Sequence, residues 1–209
     1  MLASFLSIGL LMLMAVMLPG PDFALVIKNT ILHNRRAGIF TSFGIGLAVI
    51  VHMTYCILGL ALIISESLLL FSLIKYLGAA YLIYLGIHSF RSKQENIVFS
   101  PSNKITQKSK ITDFIAIQQG FLCNLLNPKA TLFFLALFTV IIKPGTSLIW
   151  QLAYGIEMLM IAMSWFIALT FFLSHPRILR LLNKMEKYIA KTLGVFLIVF
   201  GICLALIEK

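Results

Sequence analysis

Charge is what this sequence has least of. Only 11% of its 209 residues are Asp, Glu, Lys or Arg, whereas soluble domains carry about 25%. Acidic residues are the scarcer kind, 7 against 17 basic ones. With 60% hydrophobic residues and a mean hydropathy of +1.00, the chain cannot cover itself with a water-wettable surface. That excludes a soluble domain and leaves the lipid bilayer as solvent. The net charge of +10 would suggest nucleic acid in a soluble protein. Here no nucleic acid is expected, and the excess is read as topology, because Lys and Arg gather in cytoplasmic loops. Cysteine is sparse too: Cys56, Cys123 and Cys203 lie in apolar runs with no C-x-x-C pair, so they read as packing residues and not as a redox or metal site. No H-E-x-x-H, P-loop, nucleophile elbow or metal-ligand cluster occurs, so no cofactor, no metal and no enzymatic activity are expected. The N-terminus lacks a basic n-region and a small-residue cleavage pattern, so its apolar segment reads as a retained first transmembrane helix.

What is present is long apolar runs. A helix needs about 20 apolar residues to cross the hydrocarbon core, and six stretches qualify: roughly 3–32, 39–64, 67–90, 113–142, 148–173 and 189–207. The connection 91–112 is the one long polar linker and is too short to be a domain. The chain thus reads as a single all-α membrane domain over 1–209, with a first half at about 1–90 and a second at about 113–209. Lys28, Arg35 and Arg36 follow span one. Arg91, Lys93, Lys104, Lys108 and Lys110 follow span three, and Arg177, Arg180, Lys184, Lys187 and Lys191 follow span five. Of the 17 Lys and Arg, only Lys75, Lys129, Lys143 and Lys209 lie elsewhere. Odd-numbered loops are therefore expected in the cytoplasm.

The two halves echo each other. MLPGPDFALVI aligns with LLNPKATLFFL, one offset placing Pro21 on Pro128 and Asp22 on Lys129. LGAAYLIYLG (77–86) likewise resembles LGVFLIVFG (193–201). Three spans per half is an odd number, so the second half enters from the opposite side, giving a 3+3 inverted repeat as in secondary transporters.

Each half opens on a broken helix. Thirty helical residues in span one would reach about 45 Å, against about 30 Å of hydrocarbon. Pro19 and Pro21 lack amide hydrogens, and Gly20 between them lets the chain turn. The freed backbone groups are tolerated at membrane depth only where protein or a wet cavity meets them. Asp22 then lies in the first turn of the second half-helix, where a carboxylate suits the dipole. In span four Asn127 is a candidate N-cap and Pro128 fits position N1. Lys129 adds a full positive charge beside amides suited to an anion. A zwitterion fits between the joints, its carboxylate at the span-four joint near Lys129 and its ammonium near Asp22. The plainer alternative is that Asp22 and Lys129 neutralise each other as a buried ion pair.

PGPDFALVIKNTILHNRRAG with a following GIG, the run KYLGAAYLIYLG, and GFLCNLLNPKATLFF together resemble signature segments of the LysE/RhtB-type amino-acid exporters. One departure is that LALFTVIIKPG follows where such proteins often carry a proline-glutamine-phenylalanine segment. The resemblance implies a multi-pass protein of the bacterial inner membrane that moves amino acids or close analogues out of the cytoplasm, with protons as the counter-ion in antiport.

Other polar residues fall inside spans. His52 can relay a proton or bond a carbonyl across a helix interface. Glu157, deep in span five, can carry a proton, partner Lys129, or stay protonated and bonded. Asn124, with Asn29, Gln118 and Gln119, lies near the broken helices and can bind substrate or satisfy loose backbone groups. A metal-ion exporter on a similar scaffold and an intramembrane enzyme using His52 and Glu157 remain as alternatives, and a homodimer is compatible with a six-helix bundle.

Overall fold

The computed structural model describes residues 2–91, 111–141, 146–173 and 176–206. Most of the expected cytoplasmic linker, with Lys93, Lys104, Lys108 and Lys110, lies outside them, as does Lys143. The described residues form eight helices and no strand: α1 (Leu2–Met17), α2 (Pro21–Leu32), α3 (Arg35–Glu66), α4 (Leu68–Arg91), α5 (Asp113–Leu125), α6 (Pro128–Ile141), α7 (Leu148–Phe172) and α8 (Pro176–Leu206). The protein is all-α, as its apolar runs require.

Among the described residues three segments are long and apolar enough to cross a bilayer: Arg35–Gly59, Ser72–Phe90 and Leu148–Phe172. Two bent pairs pass the same test when taken together. Phe5–Met17 with Pro21–Leu32 bends by 59°, and Asp113–Leu125 with Pro128–Thr139 by 60°. The breaks fall at the two proline motifs. Pro19 and Pro21 interrupt the first ladder, and Pro128 takes position N1 of α6, where its missing N–H costs nothing.

One expectation is corrected. The basic segment after span five is not a loop, because α8 runs as helix from Pro176 to Leu206. Ile178, Leu181, Leu182 and Met185 recur at helical spacing among its charges, a period hidden when only the charges are counted. Ala190–Leu206 is the apolar part and is shorter than a full span.

α3 is the central element, packed against α2, α5, α6 and α7, while α1 packs on α7 and α4 lies between α8 and α6. The tightest crossings are built on glycine. A Cβ at Gly44 would run into the Ile117 carbonyl oxygen, and one at Gly120 into that of Thr41, so α3 and α5 touch backbone to backbone. Gly86 and Gly194 do the same for α4 and α8. Without a hydrophobic driving force between helices in lipid, such close approach is the main source of association.

The ends of three elements meet at one face. Arg36 at the start of α3 grips Asp113 at the start of α5 through three bonds, Nε to Oδ1 at 2.9 Å and to Oδ2 at 3.2 Å, and Nη2 to Oδ2 at 2.6 Å. The Arg35 guanidinium lies 5.0 Å from the ring centroid of Phe171 near the end of α7. The ends of the first, third and fifth connections are thus gathered on one side.

Candidate functional site

Breaking a helix leaves carbonyls without donors, and the identity of the orphans follows from counting. In an unbroken helix the Ala15 carbonyl would accept from residue 19, but residue 19 is proline. The Asn124 carbonyl would accept from residue 128, which is proline as well. Both carbonyls are met by a side-chain nitrogen from another element. Lys129 Nζ donates to the Ala15 carbonyl at 3.3 Å and to the Leu18 carbonyl at 3.0 Å. The His52 Nε2 lies 3.2 Å from the Asn124 carbonyl, which also receives the Asn127 amide at 3.1 Å. A carbonyl can only accept, so Nε2 carries the proton. The Tyr55 hydroxyl, 2.7 Å from Nδ1, then donates to the other ring nitrogen.

The electrostatics explain why Lys129 reaches across. As the second residue of α6 it sits at the positive end of that helix dipole, a poor place for a cation. Its side chain escapes to the negative end of α1, where the freed carbonyls lie. It passes beside Gly20, where a Cβ would stand 3.4 Å from Nζ, an ordinary contact. The α6 terminus meanwhile caps itself, the Asn127 side-chain oxygen accepting from the Lys129 amide at 3.0 Å. Gly20, extended at the N-cap of α2, has no side chain with which to do this.

Asp22 faces the same hollow. Its Oδ2 accepts from Asn124 Nδ2 at 2.9 Å and from Asn127 Nδ2 at 3.0 Å. Its Oδ1 is buried and has no partner among the described residues, and so is Asn124 Oδ1. The Cys123 thiol approaches the carboxylate without completing a bond to Oδ1. Lys129 and Asp22 interact through space, but no ion pair joins them directly among the described residues, so the plainer alternative of mutual neutralisation is not what holds them.

These residues line one cavity between the two joints, about 490 Å³ with its open mouth included. Asp22, Asn124, Asn127 and Lys129 supply its polar atoms, and Gly20 belongs to its wall. Most of the rest is apolar, including Met12, Val49, Phe23, Phe133, Phe134 and Phe166.

The structure therefore brings four of the six expected residues to one place. His52 stands behind the wall, fully buried, stacked on Phe134 with ring centroids 5.2 Å apart. It touches the site through Asn124. Glu157 is apart: its carboxyl packs against Gly9 of α1, where a Cβ would come within 2.7 Å of Oε1. It does not partner Lys129, because that ammonium is bound to carbonyls. Asn29 is buried behind the site, donating to Thr41 Oγ1 at 2.8 Å and Gln119 Oε1 at 2.9 Å, and so ties α2 to α3 and α5. The sequence carried no signal that ranked this network or the apolar wall. Counting four residues back from Pro19 and from Pro128 does give the Ala15 and Asn124 carbonyls.

Two broken helices whose joints meet around one hollow, with Asp22 and Lys129 in its lining, define a helical membrane protein built on paired helix breaks. The comparisons with known proteins agree with that class. The profile of the LysE type translocator matches residues 13–207, and the chain belongs to this family. It is 33% identical over 196 residues to an uncharacterized membrane protein of Bacillus subtilis (strain 168), YrhP, covering 90% of this chain and 92% of the relative. It is 30% identical over 207 residues to a threonine efflux protein of Escherichia coli (strain K12), covering 97% of each. An uncharacterized membrane protein of the same organism, YahN, is 25% identical over 200 residues, 96% of this chain and 87% of that protein. No solved structure matches.

Proposed function

We propose that this protein is a secondary transporter that exports an amino acid or close analogue across the bacterial inner membrane, in exchange for protons. The observation that carries the reading is the convergence of Asp22 and Lys129, one from each broken helix, on a single cavity. A zwitterion offers the complementary pair: its carboxylate to Lys129 and the α6 amino terminus, its ammonium to Asp22. The threonine efflux protein among the relatives supports an amino acid as cargo.

Six spans arranged as a 3+3 inverted repeat suit this role. The matched bends of 59° and 60° are what duplicated halves would give, with α8 as the sixth span. The gathering of Arg35, Arg36, Asp113 and Phe171 at one face suits odd-numbered loops on the cytoplasmic side. Rocking one half against the other would then expose the cavity to each side in turn. Asp22 is the group we assign to proton exchange, since an ammonium and a proton compete for one carboxylate. Each proton moved inward is worth about 2.3 kcal/mol at 100 mV. A metal-ion cargo has less support: no cluster of three or more His, Cys, Asp or Glu gathers among the described residues, and Lys129 would repel a cation at the cavity.

The test is uptake of a labelled amino acid into everted membrane vesicles energised by a proton gradient. Wild-type protein should raise uptake above the vector control, and Asp22→Asn should return it to that control. Uptake indifferent to Asp22→Asn would overturn the coupling assignment.

A further inference from the structure

Two acceptors in this cavity have nothing to accept. Asp22 Oδ1 and Asn124 Oδ1 are both buried, both unpartnered among the described residues, and both belong to residues lining the hollow. Their orientation is set by the bond from Asn124 Nδ2 to the other carboxylate oxygen, Asp22 Oδ2. An Asn124 amide that donates through nitrogen must present its oxygen as the free end. Buried acceptors without donors are rare and costly, so a pair of them on one wall marks the place of a missing donor. A primary ammonium has three N–H bonds and a positive charge, which match a carboxylate oxygen and an amide oxygen on residues that are themselves bonded to each other.

The rest of the wall decides what that ammonium is attached to. Phe23 on α2, Phe133 and Phe134 on α6 and Phe166 on α7 supply aromatic surface, and Met12 and Val49 supply aliphatic surface. Asp22 is the sole acid in the lining of this cavity among the described residues. Glu157 is turned toward Gly9 instead. A second positive charge on the substrate would therefore be buried against aromatic and aliphatic groups with no counter-ion.

Resting on the export reading above, we infer that the cargo is an α-amino acid with a neutral, apolar side chain, its ammonium held by Asp22 Oδ1 and Asn124 Oδ1 and its side chain packed on the Phe23, Phe133, Phe134 and Phe166 surface. Basic amino acids are excluded by the missing counter-charge. Acidic ones are excluded by the apolar wall and the single ammonium of Lys129.

The experiment is thermal melting of the purified full-length protein in detergent, titrated with L-leucine, L-phenylalanine, L-lysine, L-arginine and L-aspartate, and with two fragments of leucine, isoamylamine and 4-methylpentanoate. Leucine or phenylalanine should raise the melting temperature. Lysine and arginine should need concentrations at least about tenfold higher for the same shift. Of the fragments, the amine should act and the acid should act less. Lysine or arginine matching leucine would overturn the side-chain inference and leave amino-acid export standing. If none of the amino acids has an effect, the side-chain inference falls, and the vesicle uptake above decides the export reading. Asp22→Asn, nearly isosteric and still able to accept from Asn124 and Asn127, should lose the leucine and isoamylamine responses. If it keeps them, the ammonium is not where we place it. Val49→Thr should weaken leucine by about threefold or more through a polar group in the wall, and an unchanged leucine response would place the side chain elsewhere.

Discussion

The two helix breaks bend alike and are held differently. At 59° and 60° their geometry is nearly interchangeable, yet the joint after α5 supplies its own cap while the joint after α1 does not. Asn127 closes the α6 terminus with its own side chain. Gly20 caps α2 with none, and on the other side of that joint the Ala15 and Leu18 carbonyls at the end of α1 are met by Lys129 from the second break. For backbone carbonyls the dependence runs one way, although Asp22 of the first joint holds the Asn124 and Asn127 amides of the second. The first break relies on the second for its donor, and the second relies on α3, through His52, for less. A substrate carboxylate that binds Lys129 must therefore compete with the end of α1, which couples occupancy of the cavity to the first joint.

The strongest way to break this asymmetry is Lys129→Met. Both Ala15 and Leu18 carbonyls then lose their side-chain donor, at a cost of about 3 kcal/mol in stability, and amino-acid binding should disappear. Unfolding of the detergent-solubilised protein in sodium dodecyl sulfate would measure the first, and ligand-dependent melting the second. A stability equal to wild type would mean that water serves these carbonyls as well as Lys129 does.

Asn127→Ala strikes the self-capped joint and should cost less, about 2 kcal/mol, from the lost cap and the lost donor to Asp22. Binding should weaken without vanishing, since Asn124 still holds the carboxylate. His52→Leu should cost about 1 kcal/mol, because the Asn124 carbonyl keeps the Asn127 amide. If His52→Leu proved more damaging than Lys129→Met, the order of dependence would be reversed. Both are read by the same unfolding titration.

The sequence announced the breaks because proline acts locally: its missing hydrogen and fixed φ need no tertiary context. Asn127 as cap and Pro128 at N1 were legible for the same reason. Pairing Asp22 with Lys129 across the halves was legible from the aligned motifs, though not its form. Where a side chain lands depends on how helices are rotated against one another, and spacing says little about that. Hence the sequence offers an anion or Asp22 as the partner of Lys129, and the bonds to the end of α1 could not be read from it. Glu157 was an open candidate because an intramembrane carboxylate stands out in sequence, but the rotation of α7 turns it to Gly9. The helix through 176–188 is masked in the sequence because its basic residues read as a loop, while the helical period lies in the apolar residues between them.

The smallest expected effect is the most specific. If Lys129 serves the Ala15 carbonyl only because Pro19 cannot, restoring a backbone donor should make Lys129 less necessary. Pro19→Ala provides that N–H. The α1 ladder already runs to the bond from the Leu18 amide to the Met14 carbonyl, so one further turn position is geometrically available. The single substitution should change stability little, the new bond offsetting the looser unfolded chain. In a double-mutant cycle, Lys129→Met should then cost about 1 kcal/mol less on the Pro19→Ala background than on wild type. The Leu18 carbonyl still needs its donor, so the compensation should be partial. Pro128→Ala provides the control at the other joint, where it should leave the cost of Lys129→Met unchanged. Equal coupling from both prolines would mean that the two breaks share one network, and the one-way dependence drawn from Lys129 would be wrong.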